Sequence, residues 1–472
     1  PVPPGAARAA VSERVVYWTS KRQGELSLSE QELAPAMNAY FKPLLLLTGQ
    51  YPAVAANPPY LGNRQMGSRL KKYIYDRYPD SRSDMCVVFI KVCLRLSSSG
   101  GNVGMINHHN WMFNNSYDNF RKETLRQVSL DSLLHLGSGA FQDQGGEVVQ
   151  AVTFAARLSA PKSSKKGVYY RLVDNRNTQT KQEEFLNNKN KYFVDQTSFK
   201  VIPGSPIVYW VDDNTIKAFE ELPPVRDYAE PRQGLSTADN NRFLRFWPEV
   251  PFHDICFDGL NDIERWFPYN KAGGFHKWYG NNEYVIDWHK NGVEVRNNPG
   301  SAVRNERYQF RKSIGWSDIG SKPLGARYNP GGSLFDAVEM SLFPKNEDHY
   351  NYITAFLCSV VSNHLISCLS PGMHYSVGYV GDTPFRVADT SEFEKINRIA
   401  EESIEITRSD WDSRETSWDF TQHPLDEQAA SSLKAAYNAW KEQATGDFFQ
   451  LHANEEELNE LFIDLYSLED EL

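Results

Sequence analysis

Four consecutive residues, Asn57-Pro58-Pro59-Tyr60, directly follow the apolar run Tyr-Pro-Ala-Val-Ala-Ala at 51–56. Their types suit one kind of chemistry. An amine conjugated to an aromatic ring is a poor nucleophile, because its lone pair is delocalised. Two acceptors aimed at its two hydrogens draw the nitrogen toward sp³ geometry and expose the lone pair to a methyl donor. The side-chain oxygen of Asn57 supplies one acceptor. The Pro58 carbonyl supplies the second, its direction fixed by the rigid Pro58-Pro59 backbone. Tyr60 offers a ring face on which a flipped-out base can stack. The bland alternative is a turn, since Asn and Pro are turn formers.

For that chemistry the four residues must sit where a strand ends. Residues 51–56 read as a buried strand stopped by the two prolines. A helix interrupted by Pro35 and Pro43 precedes it over 26–47. Downstream, Ser83 or Asp84 caps a helix to about Leu96, with Val87, Ile90 and Leu94 at helical spacing. Gly100-Gly101 breaks it, and Val103–Ile106 forms another buried strand. A helix around 115–128 and β segments at 131–136 and 147–156 complete an alternation typical of an α/β unit with a central, largely parallel sheet. In such sheets ligands lie at the C-terminal ends of the strands.

Beyond residue 160 the character changes. Residues 161–230 are polar, with β-rich pieces at 168–173 and 199–210 and prolines at 203, 206, 223, 224 and 231 that suggest a boundary. Residues 231–390 are rich in Trp, Tyr, Gly and Asn, with helices at 238–247 and 351–368. Residues 391–472 are helical in pattern and acidic. The expected organisation is a remnant of an upstream region (1–50), the strand-bearing unit (51–160), a connecting segment (161–230), a mixed domain (231–390) and an acidic helical end (391–472).

Charge follows the same division. The net −10 resolves into −15 over residues 391–472, with 21 acidic and 6 basic residues, and +5 over the rest. A mildly basic body permits nucleic-acid contact, although charge runs are usually solvated faces. No run of about 18 apolar residues is present, so no membrane span is expected. The start, PVPPGAARAA, lacks the order of a signal peptide and reads as a cut end. Five cysteines without CxxC spacing fit reduced thiols in a cytoplasm.

A wider likeness joins these features. The strings AVAANPPYLGNRQM (53–66), YPDSRSDMCVVFIKVCLRL (78–96), GGNVGMINHHNWMF (100–113) and HLGSGAFQDQGGEVVQAVTFAAR (135–157) resemble PglX-type adenine-specific DNA methyltransferases of BREX phage-exclusion systems. The order continues in GLSTADNNRFLRFWPEV (234–250), FPYNKAGGFHKWYGNNEYVIDW (267–288), RSDWDSRETSWDF (408–420) and the final HANEEELNELFIDLYSLEDEL. The likeness runs from about residue 45 to 472 and is thin around 177–198.

It implies an incomplete Rossmann-like methyltransferase sheet, a mixed α+β target-recognition domain and an acidic helical C-terminal region. It implies transfer of a methyl group from S-adenosyl-L-methionine to the N6 of a flipped adenine in double-stranded DNA, with other phage-defence subunits as further partners. Asn57, Pro58, Pro59 and Tyr60 match its catalytic motif. Phe141 matches an aromatic that faces the flipped base opposite the motif Tyr, or is a core Phe. Asn240, Asn241, Arg242 and Arg245 open the region resembling target recognition, where Asn and Asp also cap helices. Lys271 and Lys277 interleave with the rings of 266–279, a mixture suited to a DNA-facing surface. The rings themselves read first as core.

The departures are specific. No Gly-rich cofactor loop precedes the motif, since glycine occurs before residue 57 only at 5, 24 and 49. The acidic ribose-binding residue is also unplaced, and Pro52 stands where relatives often have Asp. The chain alone is therefore expected not to methylate, and a long segment is expected before residue 1. A DNA-recognition module without catalysis remains the alternative. NPPY also serves enzymes that methylate protein glutamine or RNA, which the large region after 234 disfavours. His108 and His109 have no metal-type spacing and read as structural; no metal is expected. Nuclease, Walker and nucleophile-elbow motifs are absent.

Overall fold

The computed structural model describes residues 25–472 except 142–148, 164, 260–263, 321–322, 373 and 428–430, together with a few positions before residue 25. The chain divides into two compact units, one of residues 1–200 and 204–210, the other of 201–203 and 211–472.

In the first unit, helix α1 (Leu28–Thr48) leads into β1 (Tyr51–Ala56). After α2 (Ser68–Arg77) comes α3 (Met85–Leu96), whose Asp84 cap accepts from the Cys86 amide. Capping satisfies a backbone donor that the helix start leaves open. Then follow β2 (Ser97–His108), α4 (Asp118–Gln127), β3 (Ser129–Gly137), β4 (Ala151–Arg157), β5 (Lys166–Arg171), α5 (Thr178–Leu186) and β6 (Lys191–Asp195). The strands form one sheet ordered β1-β2-β4-β3-β5-β6. Strands β1, β2, β3 and β5 share one direction, and β4 enters antiparallel between β2 and β3. The sheet is thus mixed rather than simply parallel, because β4 needs no crossover helix to pair with its predecessor β3.

One face of this sheet is packed. Val103, Met105, Leu133, Val152 and Phe154 are buried there; α3 buries Ile90 and α4 buries Phe120, while Val88 of α3 packs with Met66 and Ile74. The opposite residues Gly104, Ile106, Ser132, Leu134 and Thr153 are only half-buried and Ala155 is exposed. The expectation of a buried β1 is corrected here. Pro52, Ala53 and Ala55 are exposed: Ala53 and Ala55 lie on the open face, and β1 is the sheet edge, pairing among the described residues only with β2. Residues 199–210, expected to be β-rich, hold no strand and begin with the end of a 3-10 turn (Gln196–Lys200).

The second unit begins with α6 (Asp213–Glu221) and holds two four-stranded sheets. One is built from β8 (Leu244–Phe246), β9 (Trp266–Asn270), β10 (Tyr284–Asp287) and β13 (Leu334–Phe335). The other is built from β7 (Ala229–Arg232), β11 (Ser313–Ser317), β12 (Arg327–Asn329) and β14 (Glu339–Pro344). The helix expected over 238–247 shrinks to α7 (Asn240–Phe243), since the chain turns at Leu244 to pair β8 with β10. The expected helix 351–368 is two, α8 (Tyr350–Cys358) and α9 (Val360–Leu369), separated at Ser359, whose hydroxyl caps the second. These two, α10 (Thr390–Asp412) and α11 (Leu433–Tyr466) bury Phe356, Leu365, Ile399, Leu458 and Phe462 in one core with Ile314 and Leu342 of the second sheet. The acidic end therefore closes on its own unit.

Among the described residues no single helix is long and apolar enough to cross a membrane. The α8–α9 region is apolar enough only as a pair bent by 71°.

Candidate active site

Because β1 and β2 are parallel and in register at Ala56 and Met105, their C-terminal ends lie side by side. Asn57 to Tyr60 leave the first end and His108 closes the second. The period of two along β1 carries Ala55 and Asn57 to the open face, and both are exposed. Pro58 is buried and anchors the turn. Asn57 sits at the rim of a hollow of about 570 Å³ on that open face, lined also by Gly104, Ile106, Ser132, Leu134 and Thr153.

Tyr60 is half-buried, with its hydroxyl out of contact with water and without a hydrogen-bond partner. Burial raises the phenol pKa, and nearby Cys86 and Asp84 add to the rise. The Tyr60 ring meets His108 edge-on at 6.5 Å. The turn is pinned to the start of α3: the Met85 amide donates to the Leu61 carbonyl at 3.0 Å and the Asn63 amide to the Ser83 carbonyl at 3.0 Å. The Asn107 amide group donates to the Cys86 carbonyl at 3.1 Å and ties β2 to the same helix.

Behind His108 lies a group that the sequence reading only half anticipated. The His109 Nδ1 and His135 Nε2 atoms are 2.8 Å apart, which requires one ring to donate and the other to accept. Burial lowers the His109 pKa to about 4, with His108 adding to the effect. Burial also holds His135 well below its ordinary value. Both rings are therefore neutral near pH 7. Phe113 and Trp210 flank His135 at 5.7 and 6.4 Å. His135 escaped sequence reading because it arrives from β3, and only the insertion of β4 fixes which residues of β3 approach β2. Among the described residues no group of three or more His, Cys, Asp or Glu could hold a metal ion.

The other sequence candidates are placed as follows. Phe141 is half-buried, the last described residue before 142–148, and makes no ring contact with Tyr60. Asn240 accepts from the Thr237 hydroxyl at 2.6 Å, and Asp239 caps α7 through the Arg242 amide. Asn241 is exposed, and its carbonyl accepts from Arg245 at 2.8 Å. Arg242 pairs with Glu294 at 2.6 Å. Lys271 pairs with the nearly buried Asp336 at 2.8 Å, and Lys277 with Glu455 of α11 at 2.9 Å. Trp266, Phe267, Tyr269, Trp278 and Tyr279 are all buried, the core reading of those rings. All five cysteines are buried and free.

The fit to S-adenosyl-L-methionine is one-sided. The exposed Asn57 beside the hollow suits an amine and its methyl donor. Among the described residues, however, the hollow has no acidic side chain for ribose hydroxyls and no Gly-rich loop beside it. The residues present do not hold the cofactor by themselves.

A sheet of this order with this turn at a strand end is that of an α/β methyltransferase. Comparison with known proteins agrees. Residues 17–141 match the Eco57I restriction-modification methylase family. The chain is similar to adenine-specific methyltransferase PglX of Lacticaseibacillus casei (strain Zhang), 37% identical over 449 residues, covering 90% of this chain and 37% of that protein. It is also similar to adenine-specific methyltransferase BrxX of Escherichia coli O9:H4 (strain HS), 33% identical over 406 residues, covering 85% of this chain and 33% of that protein. The chain thus spans about a third of the length of these relatives. Its fold is shared with MmeI, a Type IIL restriction-modification enzyme solved in complex with DNA, at a TM-score of 0.54 and 12% identity, covering 90% of this chain and 56% of that one.

Proposed function

We propose that this chain is the amine-binding and DNA-recognising portion of an adenine-N6 DNA methyltransferase acting in phage defence. The observation that carries the proposal is the exposed Asn57 at the C-terminal end of a parallel strand, beside an open hollow and next to Tyr60. In this reading the Asn57 oxygen and the Pro58 carbonyl accept the two hydrogens of the adenine amine. The Tyr60 ring stacks on the flipped base, and Phe141 approaches it from the other side. S-adenosyl-L-methionine supplies the electrophilic methyl group. Burial of Pro58 holds the turn, and with it the carbonyl direction, in place.

The strand-bearing unit would then hold the reacting base, residues 231–390 would read double-stranded DNA, and 391–472 would brace that domain. Both relatives are named as adenine-specific methyltransferases, and the structural neighbour was solved with DNA, which supports the substrate class. A cytoplasmic location and further phage-defence subunits as partners follow from the same kinship. The one-sided cofactor fit favours a second reading for the chain by itself: it binds DNA without chemistry.

The test is methyl transfer from labelled S-adenosyl-L-methionine to DNA by this chain and by a form extended upstream to the length of its relatives. Activity in the extended form alone is expected. Activity in the chain by itself would show that its cofactor site is complete. Inactivity of both, with duplex binding retained, would favour the recognition module.

A further inference from the structure

The cations chosen from the sequence are largely tied up. Arg242, Lys271 and Lys277 each face a carboxylate, and Arg245 turns back on main-chain carbonyls. A different basic group in the second unit is not neutralised. We propose that Arg232, Arg307 and Arg311 form a phosphodiester-binding site gathered around Tyr308, a contact for the nucleic-acid backbone; the assignment rests on the DNA-binding reading above.

The site is built. Tyr308 is almost fully buried, and its ring lies 4.9, 4.8 and 5.5 Å from the guanidinium carbons of Arg232, Arg307 and Arg311. Its hydroxyl accepts from Arg232 at 3.0 Å and Arg307 at 2.8 Å, and donates to the Glu230 carboxylate. The loop reaches this arrangement at a backbone cost. Asn305 (φ 52°) and Phe310 (φ 63°) are both left-handed, and Phe310 is a bulky residue in a region that L side chains avoid. Three contacts hold it there: Phe310 donates its amide to Ser333 and accepts from Gly332, both at 2.9 Å, and its ring meets Phe267.

Charge makes this an anion site. Glu230 is the carboxylate facing the three guanidinium groups, 3.4 Å from Arg232. Glu306, in the same loop, is turned to Arg296 at 2.7 Å. Among the described residues Arg307 and Arg311 have no ion-pair partner, and the buried Nε of Arg232 has no acceptor. The Tyr308 hydroxyl holds the Glu230 carboxyl below its usual range, helped by Arg232, Arg307 and Lys345. A phosphodiester has two free oxygens and one charge. It suits guanidinium groups whose stems are pre-set by stacking on one ring. Such contacts position DNA rather than read its sequence.

The test is equilibrium binding of two unrelated duplexes across a range of salt concentrations. The wild-type chain is compared with the Arg307→Gln/Arg311→Gln variant and the Arg307→Lys/Arg311→Lys variant, with thermal unfolding of each measured alongside. Each lost phosphate contact lowers the slope of log K against log salt by about 0.9. The Gln pair removes this one contact, so it should lose a slope of about 0.9, weaken both duplexes alike by about tenfold or more, and regain most of this in the Lys pair. Should the Gln pair unfold, Arg311→Gln alone carries the test, with a slope change of the same sign and no larger than about 0.9.

A Gln variant with wild-type affinity and slope overturns the assignment and leaves the DNA reading standing. Absence of binding by the wild-type chain removes both. Inorganic phosphate is the second probe: a variant that loses phosphate binding but keeps full duplex affinity would overturn the backbone contact in favour of a small free anion.

Discussion

At the scale of single residues, Asn57 and Tyr60 should behave differently from core side chains. Asn57 is exposed, so Asn57→Ala should move stability by no more than about 0.5 kcal/mol. The lost acceptor should still reduce transfer in the extended protein by about 100-fold or more, comparable to the loss of a preorganised transition-state contact elsewhere. The Tyr60 hydroxyl has no partner, so Tyr60→Phe should leave thermal stability unchanged or slightly raised. Tyr60→Ala should weaken binding of a flipped base by about 1–3 kcal/mol, measured on DNA carrying an abasic partner opposite adenine. The motif was legible because its four residues are contiguous and end a strand. The His109–His135 pair was not, because His109 opens the 3-10 turn after β2 whereas His135 lies on β3.

That pair carries a pH prediction. The pKa of His109 is lowered from 6.5 to about 4 by burial, so the unfolded chain binds more protons between those values. Stability should thus be full above pH 6.5, fall as pH drops toward 4, and level off below it. A shift of this size corresponds to about 3 kcal/mol. Chemical denaturation at a series of pH values should show a smaller acid loss in His109→Gln than in wild type; an equal loss would remove His109 from that account.

At the scale of elements, the strand and helix at the site were readable from local signals. The run before Asn57 became β1, and the Asp84 cap with its apolar spacing became α3. What local pattern does not encode is neighbours. Val54 and the alanines of β1 look like a buried strand, yet Ala53 and Ala55 lie on the open face of the sheet and are exposed. Helix α7 stops early because pairing of β8 with β10 outweighs the helical pattern of 238–247. Helix α5 lies in a polar stretch without a strong apolar stripe, and α6, although Phe219 packs on the core, is only nine residues long; neither was read.

Pairing also explains a buried charge that the sequence did not flag. Arg327 on β12 and Glu339 on β14 form an ion pair, each about 3% exposed. The Glu339 side chain also accepts from the Ser317 hydroxyl on β11 at 2.9 Å, so the pair links three strands. Glu339→Gln should destabilise the chain by about 3–5 kcal/mol, because it leaves a buried guanidinium uncompensated. Denaturant melting checks this, and a loss under about 1 kcal/mol would mean that solvent reaches Arg327 after substitution.

At the scale of the whole molecule, division of charge was the most useful sequence signal and also a misleading one. It set the acidic end, residues 391–472, apart from a mildly basic remainder, but that end belongs to one compact unit with residues 211–390. Yet part of its charge is spent inside its own unit, where Glu455 takes Lys277 and the indole of Trp278, and Glu457 takes Lys395. Candidate DNA contacts chosen for being basic were therefore often already paired. Arg307 and Arg311 escaped notice because their value as an anion site depends on Tyr308 being buried between them and on Arg232 arriving from a strand 75 residues upstream of Arg307. The free charges thus depend on pairing that the sequence alone does not show.

The central claim is that Asn57 and its turn present a DNA adenine amine for methylation. It is tested most directly by digesting DNA treated with S-adenosyl-L-methionine and the upstream-extended protein, then quantifying N6-methyladenine by mass spectrometry for wild type and Asn57→Ala. N6-methyladenine is expected with wild type and none above background with Asn57→Ala, the variant remaining folded and able to bind duplex. Undiminished N6-methyladenine in Asn57→Ala, or a methylated product other than adenine in the wild type, would contradict it.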